Sequence, residues 1–322
     1  MQTLGNLFNI IIFVGAIGSV FTVMLLFLRK VLRFTLPLWV GALGAAFYLV
    51  PIVVPQVKLT PPEETLWIRG YEIASVIWMA GAGAFLIYYL LRGLFAYRAV
   101  KRYSVCEDER IVGIYSECAA NGLNLSIMPP LLFGTLKDPA CVVNIFRPVV
   151  ILNKDIALKL SNRELQVVLY HELIHIRRKH CFAQHIYDII SVLYWFNPLV
   201  WIAKHEFAYT CEMDCDNHAV KSISPRATAK EYTAAMLRLI ELSSEVGNSG
   251  FGEIGALSFL MMKQRFVNII HKPSKKRSAA VILAVVLCMT LTVMLSVAAS
   301  RAMFYPYPAY TNGDYEYTGI SE

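Results

Sequence analysis

Two patterns of apolar and polar positions divide this chain. Four runs carry no charged residue and are long enough to cross a bilayer as helices, at roughly 7–28, 35–54, 73–91 and 278–300. Between the third and fourth runs the pattern becomes periodic. Leu165, Val168, Leu169 and Ile176 fall on one helical stripe, and Ser161 with Glu164 three residues later is a capping-box signature. A helix is therefore expected from about Asn162 to about His180. Asn197-Pro198, a cap followed by proline at the first helical position, predicts a second helix running through Glu212 and Asp216. Ahead of both, Val142-Val143 and Val149-Val150-Ile151, separated by Arg147-Pro148, predict a short strand or hairpin over Cys141 to Asn153. Residues Ile186 to Trp201 are apolar and aromatic, with Asp188 near their start. Their uncharged stretch from Ile189 to Ala203 is short for a span and is interrupted at Asn197-Pro198, so it is expected against the inner leaflet or in the domain core.

Composition turns the uncharged runs into membrane spans. A chain of 322 residues with 57% hydrophobic content and a mean hydropathy of +0.51 is too apolar for an ordinary soluble enzyme. The first run lacks a basic leader and is too long for the core of a signal peptide, so it reads as a span. Cations flank the runs unevenly: Arg29, Lys30 and Arg33; then Arg92, Arg98, Lys101 and Arg102; then Lys272, Lys275, Lys276 and Arg277. These clusters are expected on the cytoplasmic side, which leaves the loop from Pro55 to Gly70 and both termini extracytoplasmic.

The resulting plan is a multi-pass membrane protein. Three transmembrane helices occupy 1–97, a cytoplasmic domain 98–277, a fourth helix 278–300 and a short external tail 301–322. The net charge of +7 lies mostly at the membrane edges, which argues against direct nucleic-acid binding. Six of the seven cysteines fall in the cytoplasmic domain and Cys288 in the last run, as a reducing compartment requires.

The chemistry concentrates in His171-Glu172-Leu173-Ile174-His175. Two histidines four apart on a helix share a face and can grip one Zn²⁺, with Glu172 beside the open coordination position. Glu212 and Asp216, also four apart, supply the rest: Glu212 a third ligand oxygen, and Asp216 an acceptor for the free N–H of a ligand histidine. A metzincin would need a glycine and a third histidine where this chain has Arg178 and Cys181. Cys211 and Cys215 beside Glu212 raise a thiolate site as an alternative. Asp214 reads as a solvated acidic position. His205, His218 and nearby tyrosines are candidates for steadying the oxyanion, with no single one assigned, and His180, His185 and His271 read as structural. Zn²⁺ held by His171, His175 and Glu212 would supply an acidified water and polarise the scissile carbonyl, while Glu172 takes the proton and returns it to the leaving amine.

The H-E-x-x-H followed by E-x-x-x-D resembles the gluzincin-type membrane peptidases. Span order and the run Trp195-Phe196-Asn197-Pro198-Leu199-Val200-Trp201 narrow this, and the chain is similar to the BlaR/MecR family of membrane sensor-transducer peptidases. That resemblance implies four transmembrane helices with an inserted, mainly helical α+β gluzincin-like metallopeptidase domain. It also implies zinc as cofactor, and as substrates a cytoplasmic transcriptional repressor and the chain itself. The β-lactam sensors of that family carry an external penicillin-binding domain with a Ser-x-x-Lys nucleophile; no Ser-x-x-Lys occurs in this sequence. Two other readings stand beside it: a processing or quality-control peptidase of the HtpX or CAAX-prenyl-protease type, and a receptor scaffold that no longer hydrolyses.

Overall fold

The computed structural model describes residues 2–32, 37–49, 65–123, 125, 127–136, 138–223, 229–246, 265–267, 269 and 275–303. Helices α1 (Gln2–Leu32), α2 (Leu38–Leu49) and α3 (Thr65–Val100) come first. Of these, α1 over Ile10–Lys30 and α3 over Glu72–Val100 are long and apolar enough to cross a membrane. Two shorter apolar stretches, Leu38–Leu49 and Val281–Val297, occupy the other two expected spans. The second expected span extends at both ends into residues 35–36 and 50–54, outside the described residues. The last helix, α10 (Lys275–Met303), packs on α1. Ile73, Ile77, Leu86, Leu90 and Phe95 of α3 are exposed, as are Leu283, Leu287 and Met294 of α10. Such faces suit hydrocarbon, since a helix that is apolar all round has no polar side to give to water.

The expected hairpin is present and belongs to a larger sheet. Its four strands, β1 (Ser104–Val105), β2 (Leu131–Gly134), β3 (Ala140–Val143) and β4 (Val149–Asn153), lie in the order β1-β2-β4-β3. β3 and β4 pair antiparallel with Cys141 opposite Ile151, and β4 pairs parallel with β2. β3 is thus an edge strand, and it packs beside the H-E-x-x-H helix. Short helices α4 (Glu109–Glu117) and α5 (Lys154–Ala157) flank the sheet.

Helix α6 (Asn162–Arg177) begins as its sequence dictates. Ser161 Oγ accepts from the Glu164 N–H, while the Glu164 carboxylate accepts from the Ser161 N–H at 2.8 Å. Leu165, Leu169 and Leu173 are fully buried, each stabilising the fold by about 2 kcal/mol. The helix stops earlier than periodicity predicts. Arg178 caps it, Lys179 turns into the left-handed region at φ 55°, and α7 (His180–Leu193) starts at once in a new direction.

Helix α8 (Pro198–Ile223) returns antiparallel, with Asn197 Oδ1 accepting from the Leu199 N–H at 3.0 Å. The aromatic stretch is therefore the tip of an α7–α8 hairpin, and that tip packs against α1, α2 and α3. Helix α9 (Ala229–Val246) covers the far side of α6.

Candidate metal centre

Helices α6 and α8 face each other over a long contact, and this brings the two sequence constellations together. His171 Nε2 and His175 Nε2 are 3.3 Å apart. Glu212 Oε2 lies 3.2 Å from His171 Nε2, and Glu212 Oε1 lies 3.4 Å from His175 Nε2. An ion bound tetrahedrally through bonds of about 2.1 Å separates its ligand atoms by about 3.4 Å. The three side chains thus converge with the spacing a zinc ion requires, and their chemistry, two imidazoles and a carboxylate, is a zinc donor set. Burial pushes the Glu172 carboxyl upward, towards the range where it can hold and release a proton, and the nearby His175 and His171 pull it back only in part.

Behind His171 stands a second tier. Its Nδ1 is 3.3 Å from Asp216 Oδ1 and 3.2 Å from the Tyr232 hydroxyl, which itself donates to Asp216 Oδ1 at 2.9 Å. Asp216 is wholly buried and receives two hydrogen bonds from Arg265, at 2.7 and 2.8 Å. The same guanidinium reaches Glu212 Oε2 at 3.3 Å. Although burial opposes its charge, the Arg265 guanidinium holds Asp216 at about 2, and the two histidines with Arg265 hold Glu212 well below the usual carboxylate range. Burial would likewise keep His171 neutral, but Asp216 and Glu212 outweigh it and push the imidazole up to about 10 in the metal-free chain.

Behind His175 stands a different group. His175 Nδ1 lies 3.3 Å from His180 Nδ1, which is also 3.3 Å from Cys215 Sγ. His180 is fully buried; its Nε2 lies 3.2 Å from Asp214 Oδ2 but off the direction of a hydrogen bond. Asp214 is not the solvated position expected of it. Arg178 Nε donates to it at 2.8 Å, and the side chain is only 15% exposed.

The remaining candidates separate. His205 is exposed on α8, the His218 Nδ1–H donates to the Asp214 carbonyl at 2.8 Å, and His185 lies 2.7 Å from the Cys181 carbonyl. His271 lies outside the described residues. Cys215 Sγ falls within 4.8 Å of donor nitrogens of His171 and His175, so one of the two cysteines does approach the site, whereas Cys211 is not in that group. Burial holds the Cys215 thiol well above its ordinary pKa, so the Glu212 carboxylate, already ionised, is the better third donor.

Tyr232 and Arg265 are the residues sequence reasoning missed, and neither had a local signal; His180, read as structural, stands against His175.

The chain is 25% identical, in an alignment of 257 residues that covers 74% of this chain, to Regulatory protein BlaR1 of Bacillus licheniformis. It is 22% identical over 190 residues, 58% of its length, to the Methicillin resistance mecR1 proteins of Staphylococcus aureus and Staphylococcus epidermidis. The matches span 40% of the first relative and 30% of the others, so the chain corresponds to less than half of each. With its apolar helices, this likeness points to a membrane protein. The family model described as BlaR1 peptidase M56 matches residues 54–269, a stretch that contains every residue of the site, and the chain belongs to that peptidase family.

Proposed function

We propose that this chain is a membrane-embedded zinc metalloendopeptidase of gluzincin-like build, with four transmembrane helices and its peptidase domain on the cytoplasmic side. It serves transmembrane signalling by cleaving itself, a transcriptional repressor, or both. The observation that carries the reading is the triangle of His171 Nε2, His175 Nε2 and the Glu212 carboxylate, with sides of 3.2 to 3.4 Å. A zinc ion held there would supply Lewis acidity and an activated water.

The chain's own residues do the rest. Glu172, adjoining the triangle and buried, is suited to accept a proton from that water and pass it to the leaving amine. Asp216 and Tyr232 hold Nδ1 of His171, which would leave Nε2 for the metal, while Arg265 keeps Asp216 ionised and the two histidines with Arg265 keep Glu212 so. β3, an edge strand of the sheet beside α6, would present its outer edge to an extended peptide, whose scissile bond would then lie along the H-E-x-x-H helix. The cation clusters at Arg29, Lys30, Arg92 and Arg98 support a cytoplasmic site and extracytoplasmic termini.

The experiment is zinc stoichiometry and fragment formation measured together on detergent-purified protein. Wild type and Glu172→Gln should each hold one zinc, fragments should form only from wild type, and His175→Ala should lose both metal and cleavage. Cleavage by Glu172→Gln at the wild-type rate would overturn the assignment.

A further inference from the structure

We propose that the α7–α8 hairpin is a re-entrant element, entering the hydrocarbon region to about mid-depth. One face is gripped by α1, α2 and α3, and the other is covered by lipid acyl chains. This inference does not depend on whether the site hydrolyses peptides.

Depth is set by what the hairpin tip touches. Asn197 Nδ2 donates to Ser19 Oγ at 2.7 Å. Ser19 lies nine residues from one end of the apolar window Ile10–Lys30 and eleven from the other. At about 1.5 Å per residue these are about 14 and 16 Å, the middle of a hydrocarbon layer about 30 Å thick. Neighbouring contacts agree. A side chain at Gly15 would collide with the Tyr194 ring, its Cβ falling 2.6 Å from Cε1, and Gly81 in mid-α3 makes room in the same way for Trp195.

A helix break at this depth must satisfy its own backbone, because lipid offers no partners. It does so with side chains from the spans and from within the hairpin. The Trp78 indole N–H donates to the Leu193 carbonyl at 2.8 Å, and that of Trp201 to the Trp195 carbonyl at 3.1 Å. The Trp195 indole N–H and the Tyr194 hydroxyl are themselves satisfied by the carbonyls of Trp78 and Tyr48. Charges nearer the base are paired: Lys204 with Asp188 at 2.6 Å and with the Tyr89 hydroxyl at 2.8 Å, and Arg29 with Glu206.

The opposite face argues for lipid directly. Ile189, Phe196 and Ile202 are exposed, beside α3 with its own exposed apolar face. Against water such a surface would be costly; against acyl chains it is ordinary.

The test uses the full chain in vesicles of phosphatidylethanolamine and phosphatidylglycerol containing a phospholipid with a diazirine at the end of one acyl chain. After irradiation, labelled residues are mapped by mass spectrometry. Peptides carrying Ile189, Phe196 and Ile202 should be labelled in yield comparable to those carrying Leu86 and Leu90 of α3. Val105 and Ile127, exposed apolar residues of the sheet domain, should remain at background. Label on α3 with none on the hairpin would overturn the proposal. Label on neither would overturn it too, because the spans that define the depth would then lie outside the acyl region.

Discussion

His180 Nδ1 lies 3.3 Å from His175 Nδ1, ring nitrogen to ring nitrogen. One of the two must carry the proton. If His175 ligates through Nε2, its Nδ1–H is the donor and His180 Nδ1 the acceptor, which leaves the His180 proton on Nε2, on the side of Asp214. Removing the acceptor should loosen the ligand ring. His180→Ala is expected to weaken zinc retention by about tenfold to a hundredfold in chelator competition, and His180→Gln, which keeps an acceptor, should recover part of the loss.

Asp216 and Arg265 form a buried pair, so cutting one partner should hurt more than removing both. Asp216→Asn leaves the guanidinium without its counter-charge and should cost about 3 kcal/mol in thermal unfolding of the metal-free protein, less when combined with Arg265→Leu. The pH dependence follows from the carboxyl's position at about 2 against its ordinary 3.8. A depressed carboxyl stabilises fully above the ordinary value and loses that contribution as pH falls towards 2. Wild type should therefore lose stability between about pH 4 and 2 more steeply than the double variant.

Zinc should arrive against a proton. His171 sits at about 10 in the metal-free chain, raised by Asp216 and Glu212, so at neutral pH it is protonated and must release that proton to bind metal. Calorimetry in two buffers of different ionisation enthalpy should report release of at least one proton. Apparent zinc affinity should rise with pH from 7 towards 10 and level off above it. Affinity independent of pH across that window would contradict the protonation of His171.

The glycine notches should not accept side chains. At Gly15 a Cβ would meet Tyr194, a ring buried at the hairpin tip, so Gly15→Val should cost about 1 to 3 kcal/mol through overpacking, read as a lower unfolding temperature in detergent. Gly83, with open space around its Cβ position, supplies the control: Gly83→Ala should be neutral or slightly stabilising.

The parts of this structure that were legible in the sequence are those decided within about one helical turn. The four-residue spacing in α6 and α8, the Ser161–Glu164 capping box, the Asn197-Pro198 start and the β3–β4 hairpin all follow from neighbours along the chain. The rest depends on residues far apart. Arg265 reaches Asp216 across 49 positions, and no periodicity foretells which buried carboxylate a distant arginine will meet. β2 pairs parallel to β4 through a non-local register that neither strand encodes alone. The end of α6 was misjudged because Lys179, not a glycine, takes the left-handed turn. The stretch from Ile189 to Ala203 was too short and too broken to read as a span, and what makes the break tolerable, the indoles of Trp78 and Trp201, cannot be recognised until the fold joins them.

Helix α8 is unbroken from the hairpin tip to the carboxylates of the metal centre, which makes it a lever as well as a scaffold. Were α8 to pivot rigidly at the Arg29–Glu206 pair, the arm towards Asn197 would be nine residues, about 14 Å, and the arm towards Glu212 six, about 9 Å. A displacement of about 1.2 Å at the tip then moves Glu212 by about 0.8 Å, several times the tolerance of about 0.2 Å that a metal–ligand bond allows. On the proposed reading, thickening or thinning of a surrounding bilayer, or a small tilt of α1 or α3, would reach Glu212 as a change in its distance from a zinc ion held there.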